Sequence, residues 1–575
     1  MYKNCLWLAA LFFFGCGSGE QKMECDEGQW TCSDDALVLS SCIQGKWVET
    51  NCMEQKGFLC EQGKCIAPWR WGSPVFSTCD DESAATSESL HDKMVYYEDI
   101  SRRLHIHPAL KWMTGVTLPC DGEDCTRPNP PESSATYKDV ESWHSGENDG
   151  LWSALYLAAE AFRYATTGEA EALDTLRLLM QGEQDRMAIT GVPGVFTRQY
   201  IPPGVSGVGC PDDPSRYVPD VEKDDNQWVM VGDDGCVKVV DADSMEWVTT
   251  DHCGLDAYAG WCWLDNVSQD EYAGHMFALG AVVKLVDDPG IRSMAVELLR
   301  QVGHMLVDTR LEITDWDDRA VEHGRLYAMA LDNFPGFNAA MALDYVLMSA
   351  VATGDEELWN FYNDCLLQKH GKVDCIQRPI ETPRPYPEYL SNAGLYVGQG
   401  SCLSNWNNIS MHFTSLHNLI WFEHDPELRA LYQKHLEDDV FSPKDTPKPV
   451  SEQHNAWFDF IYASQKRLGP DSDGPAYDAV RDGICMLRQF PSSQHIPNLQ
   501  CPESKCQASC VDRQGGQIGD YPRTVSERCP GTFLWWQNPY DLGGCSENLR
   551  VIAPPGDYLL AYWMGRYYGF IPETL

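Results

Sequence analysis

Two pairs of acids stand where catalytic groups are commonly found, at the starts of apolar stretches. They are Glu147 and Asp149 in W-H-S-G-E-N-D-G, and Asp270 and Glu271 in S-Q-D-E-Y-A-G-H. Each opens a segment of helical period, so an N-cap or first-turn role against the helix dipole is the plainer reading for at least half of the four. Two carboxylates facing one another across a cleft would instead supply a general acid and a general base. Asp149 and Glu271 make the best such pair. Glu271 and His275 stand four apart on one helix face, where the imidazole can orient the carboxylate or share its proton, a structural hydrogen bond being the simplest case. No H-E-x-x-H accompanies them, so a metal pair is poorly supported.

Three further helix starts carry polar and aromatic groups: F-P-G-F-N with Asn338, N-W-N-N-I-S-M-H with Trp406, Asn408 and His412, and E-Q-H-N-A-W with His454. Trp143 and His144 precede the first acidic pair. Indoles stack on apolar faces, while amides and imidazoles make directional hydrogen bonds. Arg198 leads into a long Asp- and Gly-rich segment, 202–265, whose four cysteines suggest a cross-linked cover over one rim. That arginine can pair with a ligand carboxylate or with one of the chain's own acids. Trp261 and Trp263, near the end of the cover, offer stacking faces, although packing beneath it is the safer expectation. Asp315, Asp317 and Asp318 in T-D-W-D-D are calcium-type ligands without the order or the glycine of an EF-hand, and otherwise no cofactor is expected. No G-x-S-x-G, P-loop or dinucleotide fingerprint is present.

The elements that would position these groups are helical hairpins. Apolar helices are expected over 149–167, 269–286, 337–352, 407–422 and 452–465, each followed by a tight turn and, by its period, an amphipathic return helix. The turn phrases A-T-T-G-E and V-A-T-G-D, at Ala165 and Val351, suggest repetition. Unpaired helices at 90–104 and 557–568 would complete a sixth hairpin and close a toroid. First helices that are apolar all round fit an inner layer, and amphipathic second helices an outer one.

The phrases E-N-D-G-L-W-S-A-L-Y-L-A-A-E-A-F-R-Y-A from Glu147, S-Q-D-E-Y-A-G-H from Ser268 and D-Y-L-L-A-Y-W-M-G-R-Y-Y-G-F from Asp557 resemble a group of secreted bacterial toroid lipoproteins. The hairpin pattern resembles the (α/α)6 toroid of the six-hairpin glycosidase superfamily and of the toroidal polysaccharide lyases. This resemblance implies an all-α (α/α)6 domain over 90–575, with the inner-helix starts converging on one funnel. It favours a glycoside hydrolase, whose two carboxyl groups would stand close together for retention or about 6.5–9.5 Å apart for inversion. The related group carries acids near Asn407 and Asn408. Their replacement keeps two alternatives open: a lyase using Asn408 and His412, or a non-catalytic glycan-binding scaffold.

The first sixteen residues carry Lys3, the apolar run 6–14, and F-F-G-C ending at Cys16. That run is far short of the roughly 20 residues a membrane span needs. It reads as a secretory signal, and F-F-G-C resembles a lipobox with Cys16 as the lipidation site, although Phe13 replaces the usual Leu. Gly17 after it points to the outer membrane or cell surface, with the lipid anchor as the only membrane contact. A linker (17–24), a cysteine-rich module (25–66) and a second linker (67–89) precede the main domain. Setting aside Cys5 and Cys16 leaves 22 of the 24 cysteines, an even number that fits disulfides in an oxidising compartment. A net charge of −42 argues against nucleic acid and, less strongly, against acidic polysaccharides, while the toroid resemblance and the polar and aromatic helix starts imply an extracellular glycan as the partner.

Overall fold

The computed structural model describes residues 84–121, 127–377, 383–396, 402, 405–444, 446–466, 474–513 and 515–575. It also describes residue 79 and, in the cysteine-rich segment, 25, 29–32, 38–43, 46–51, 59–61 and 64–66. The signal-like segment and Cys16 lie outside the described residues. The chain forms two units, Met1–Pro68 and Trp69–Leu575.

The first unit carries antiparallel strands Trp30–Cys32, Val38–Ile43 and Lys46–Asn51 in sequential order, and a hairpin of Leu59–Glu61 with Lys64–Ile66. Cys25–Cys42 cross-links it, as expected of a module too small to bury a core of its own.

The second unit is mostly helical: α1 Leu90–Ile100, α2 Asp149–Thr167, α3 Ala170–Ala188, α4 Gln269–Leu285, α5 Pro289–Asp308, α6 Pro335–Thr353, α7 Glu356–Asn360, α8 Trp406–Phe422, α9 Pro426–His435, α10 Ala456–Ser464, α11 Pro475–Arg488 and α12 Gly556–Tyr567. Among the described residues α2, α4, α6, α8, α10 and α12 are buried over nearly their whole length and form the inner layer. They pack mainly in chain order, with α4 also lying on α8. α12 lies on α2, α2 on α4, α4 on α6, α6 on α8, and α10 on α12. Between α8 and α10, Phe413 stacks on Phe458 at 4.2 Å. The outer helices bury one face only, α5 and α11 through apolar residues at three- and four-residue spacing.

Local chemistry explains the hairpins. Gly168 and Gly354 end α2 and α6 at φ 69°, a left-handed conformation that a Cβ disfavours, and this is why the repeated T-G phrases stand there. Asp288, Asp355 and Asp425 then cap α5, α7 and α9 by accepting backbone N–H bonds. The terminal helices do pair. Tyr558 donates to the Leu90 carbonyl at 2.6 Å, and Trp563 Nε1 donates to Glu98 at 2.7 Å. Glu98 also accepts from Arg163 of α2 at 3.1 Å. Cys79–Cys485 ties the start of this unit to α11.

The all-α expectation needs correction, because the connections between hairpins fold into sheets. The 202–265 segment supplies most of a five-stranded antiparallel sheet in the order Trp247–Cys253, Cys236–Val240, Trp228–Val231, Cys262–Leu264, Gln199–Ile201. Its cysteines pair as Cys210–Cys262 and Cys236–Cys253. Val229, Val231, Val237 and Val239 bury one face with Trp263, the β-branched pattern that a helical reading overlooks. A second sheet joins His495–Ile496, Asn548–Ile552, Val116–Thr117 and Ser142–Trp143, and a hairpin pairs Glu312–Thr314 with Ala320–Arg325.

Candidate functional site

The starts of α2, α4 and α8 meet at a cavity of about 470 Å³. Glu147 and Asn148 reach it ahead of α2, Ser268 to Asp270 from α4, and Asn405, Asn407, Asn408 and Met411 from α8. Arg198 and Asp224–Asn226 form another side, and Glu322 with His323 enters from the hairpin.

Asp270 is only 9% exposed, yet it lines this space. One of its oxygens accepts from the Ser268 hydroxyl and the other from Asn407 Nδ2 at 3.1 Å, while Asn407 Oδ1 accepts from Trp536 Nε1. Both lone-pair sets are thereby oriented by neutral donors, an arrangement suited to a carboxylate. Asn405 caps α8 by accepting from the Asn407 N–H. Glu147 is exposed and lines the cavity.

The wall is held by Asn266 at φ 55°. Its N–H donates to Asp315 at 2.7 Å, its Nδ2 to Asn226 at 3.2 Å, and its Oδ1 accepts from the Glu322 N–H at 3.0 Å. Its carbonyl accepts from Arg198 Nε at 2.8 Å, and Arg198 Nη1 donates to the Glu147 carbonyl and to Asn148 Oδ1. Arg198 therefore lines the cavity while Nε and Nη1 serve the wall, with Nη2 left to face a ligand.

Lys223 resolves the acidic T-D-W-D-D run. Its ammonium is 1% exposed and lies 2.6 Å from Asp265, 3.6 Å from Asp315 and 3.7 Å from Asp317. Burial would depress its pKa, but Asp315 and Asp265 outweigh that and hold it above the ordinary value. Arg319 pairs with Asp317 as well, and Asp318 occupies a turn at φ 64°. The calcium reading is corrected accordingly: the cations facing Asp315 and Asp317 are protein side chains. The described residues that bring metal-type ligand atoms together, within 4.8 Å of one another, are His304, Asp355 and Glu357 on the outer layer. There Asp355 already caps α7 and accepts from His304.

Asp149, Glu271 and His275 lie together beneath the cavity floor and are not part of its lining. Asp149 is 2% exposed and accepts from the Gly146 N–H at 2.7 Å, and burial pushes its carboxyl up to about 8. Glu271 is fully buried and accepts from the Leu151 N–H at 2.8 Å, so a side chain of α4 caps α2. A Cβ at Gly150 would sit 2.4 Å from that carboxylate oxygen, hence the glycine. His275 places Nδ1 2.6 Å from Glu183 and Nε2 3.6 Å from Glu271, under the stacked ring of Phe196. Burial lowers the imidazole pKa, but the two carboxylates override it and raise the pKa above the ordinary histidine value. The Glu271–His275 contact expected from spacing is present, as part of a buried frame.

The remaining expected binding residues are placed elsewhere. Trp143 is buried and donates to the Ser206 carbonyl, and His144 bonds Thr117. Trp263 is in the core, and Trp261 packs on Tyr200 and Tyr258. Asn338 is buried beside the Tyr327 carbonyl, and Trp406 lies against Tyr540. His412 is buried 2.9 Å from His435, where burial holds its pKa well below the usual value. His454 pairs with Asp482 at 2.8 Å. Of the expected set, Glu147, Asp270, Arg198 and Asn408 reach the cavity. Asp224, Asp225, Glu322 and His323 were not anticipated, because they come from the sheet insertion and the hairpin, which carry no helical phase.

No family model matches the chain, and no curated protein does. Solved structures give a distant likeness. Endoglucanase CelQ from Clostridium thermocellum, complexed with cellotetraose, is 9% identical at a TM-score of 0.34, covering 83% of this chain and 69% of that one. The cellulase Cel9M of C. cellulolyticium, in complex with cellobiose, is 12% identical at a TM-score of 0.34, covering 86% and 99%. At that level of likeness the toroid described above rests on its own helix contacts.

Proposed function

We propose that this chain is a carbohydrate-active enzyme, a glycoside hydrolase working on an extracellular glycan at the 470 Å³ cavity. The observation that carries the reading is that carboxylates from two adjacent inner-helix starts, Glu147 ahead of α2 and Asp270 in α4, line one cavity of the size that holds small ligands. In this reading Asp270, oriented by Ser268 and Asn407, is the base, and the exposed Glu147 is the acid. Asp149, Glu271 and His275 act at one remove, fixing the start of α2. The amides of Asn148 and Asn408 supply hydroxyl-binding groups. Burial of His412 weighs against a lyase using Asn408 and His412. Export and lipidation at Cys16 belong to the same proposal and rest on the sequence.

The test is incubation of the 67–575 portion with a polysaccharide panel, following new reducing ends together with ultraviolet absorbance. Reducing ends without absorbance, lost by roughly 10²-fold or more in Glu147→Gln and Asp270→Asn, support the hydrolase. Absorbance from unsaturated ends would make it a lyase. Binding without turnover would make it a glycan-binding scaffold.

A further inference from the structure

Resting on the cavity as the glycan site, we infer that its substrate class is an amine-bearing glycan, one with free amino sugars, rather than a neutral or uronate polymer. The lining carries the carboxylates of Glu147, Asp224, Asp225, Asp270 and Glu322 against one permanent cation, Arg198. Arg198 donates Nε and Nη1 to Asn266, Glu147 and Asn148, which leaves Nη2 as its one nitrogen for a ligand. Lys223, the nearest lysine in sequence, is turned away into Asp265, Asp315 and Asp317. An anionic sugar would therefore enter a negative field in which one guanidinium nitrogen faces five carboxylates.

A neutral glycan is poorly served as well. Among the described lining residues there is no tryptophan, tyrosine or phenylalanine to stack on the apolar face of a pyranose. What the cavity does offer is a mixture of carboxylates and amides. Asn148, Asn226, Gln269, Asn405 and Asn408 can both donate to and accept from hydroxyls, while a protonated amine takes carboxylate acceptors. The wall is also built to stay in place. Asp270 is nine-tenths buried with both oxygens held, and Asn266 ties the Asp224–Asn226 side to the Glu322 side through the Asn226 side chain and the Glu322 N–H. Asp224 has its pKa raised, first by its hydrogen bond to Asp220 and last by the charge of Glu322.

The experiment compares three oligosaccharides of equal length by isothermal titration at pH 6: fully deacetylated glucosamine oligomers, the same oligomers N-acetylated, and oligogalacturonate. The probes are the catalytically weakened Asp270→Asn chain and an Asp224→Asn/Asp225→Asn variant of it. Exposed ammonium–carboxylate pairs change affinity by roughly two- to fivefold each. The deacetylated oligomer should therefore bind roughly tenfold tighter than its acetylated twin, with the margin shrinking in salt and in the Asp224/Asp225 variant. Equal affinity for the two, or tighter binding of the uronate, would overturn the inference. Calcium chloride alone, titrated into the same cavity, is the remaining arm. Micromolar calcium binding that the Asp224/Asp225 variant loses, with no amine preference, would make these acids a cation site and overturn it too. Hydrolysis of a neutral polymer without amine preference sinks this inference and leaves the hydrolase standing. Amine-selective binding with no hydrolysis of any substrate does the reverse.

Discussion

Gly150→Ala should destabilise this protein, although the same change in an exposed helix stabilises. The new Cβ would lie 2.4 Å from Glu271 Oε2 and 3.1 Å from two atoms of the His275 ring. To reach ordinary contact the carboxylate oxygen must retreat by about 0.8 Å or more. The His275 ring limits the retreat on one side, and on the other the 2.8 Å bond from the Leu151 N–H is lost. A hydrogen bond to a charged group contributes about 1.5–3 kcal/mol, and replacing a helical glycine by alanine returns about 1 kcal/mol. The net loss is about 0.5–2 kcal/mol, which for a body of roughly 500 residues lowers Tm by about 0.5–2 °C. Differential scanning fluorimetry resolves that shift, and amide exchange at Leu151 should speed up with it. In a Glu271→Ala background the obstacle is gone, so the same substitution should become neutral or stabilising. An unchanged or raised Tm in the native background, or an identical effect in both, would refute the capping of α2 by Glu271.

Asp149→Asn should flatten the pH dependence of stability. A carboxyl pushed from the ordinary 3.8 up to about 8 stays protonated in the fold while the unfolded chain ionises. Its contribution is therefore complete below about pH 4 and declines as pH rises to about 8, with a slope of at most about 1.4 kcal/mol per pH unit. Urea unfolding at pH 5 and pH 7.5 reads this directly, and an unaltered slope in the variant would assign it to other groups. Lys223→Met leaves Asp265, Asp315 and Asp317 without their buried ammonium and should cost about 3–5 kcal/mol. Calcium should then raise the variant's Tm more than the native chain's, whereas equal shifts would show that the lysine was not standing in for a cation. Replacing Cys79 and Cys485 by serine removes a cross-link spanning 406 residues and should cost about 2–5 kcal/mol in chemical unfolding, without altering glycan binding.

Much of the scaffold was legible in the chain. The apolar first helices, the T-G turns at Gly168 and Gly354 and the aspartate caps are local signals, each readable from a window of a few residues. Pairing of the two terminal helices followed from counting hairpins. The sheet over 199–264 was not legible, because its short strands lie among Asp, Gly and Pro and their pairing depends on distant partners.

The candidate site divides along the same line. Sequence alone marked the helix starts as the place where polar groups gather, since the first turn leaves N–H groups that only acids, amides or water satisfy. Which member of each acidic pair reaches the cavity was decided by tertiary structure. One residue along a helix rotates the side chain by about 100°, so Asp270 faces the cavity while Glu271 turns under α2. Glu147 sits outside the helix and stays exposed, whereas Asp149 folds back to the Gly146 N–H and is buried. The rest of the lining arrives on the insertion and the hairpin, held by Asn266 and Lys223. No local pattern marks those residues, because their position is set by contacts between segments far apart in the chain.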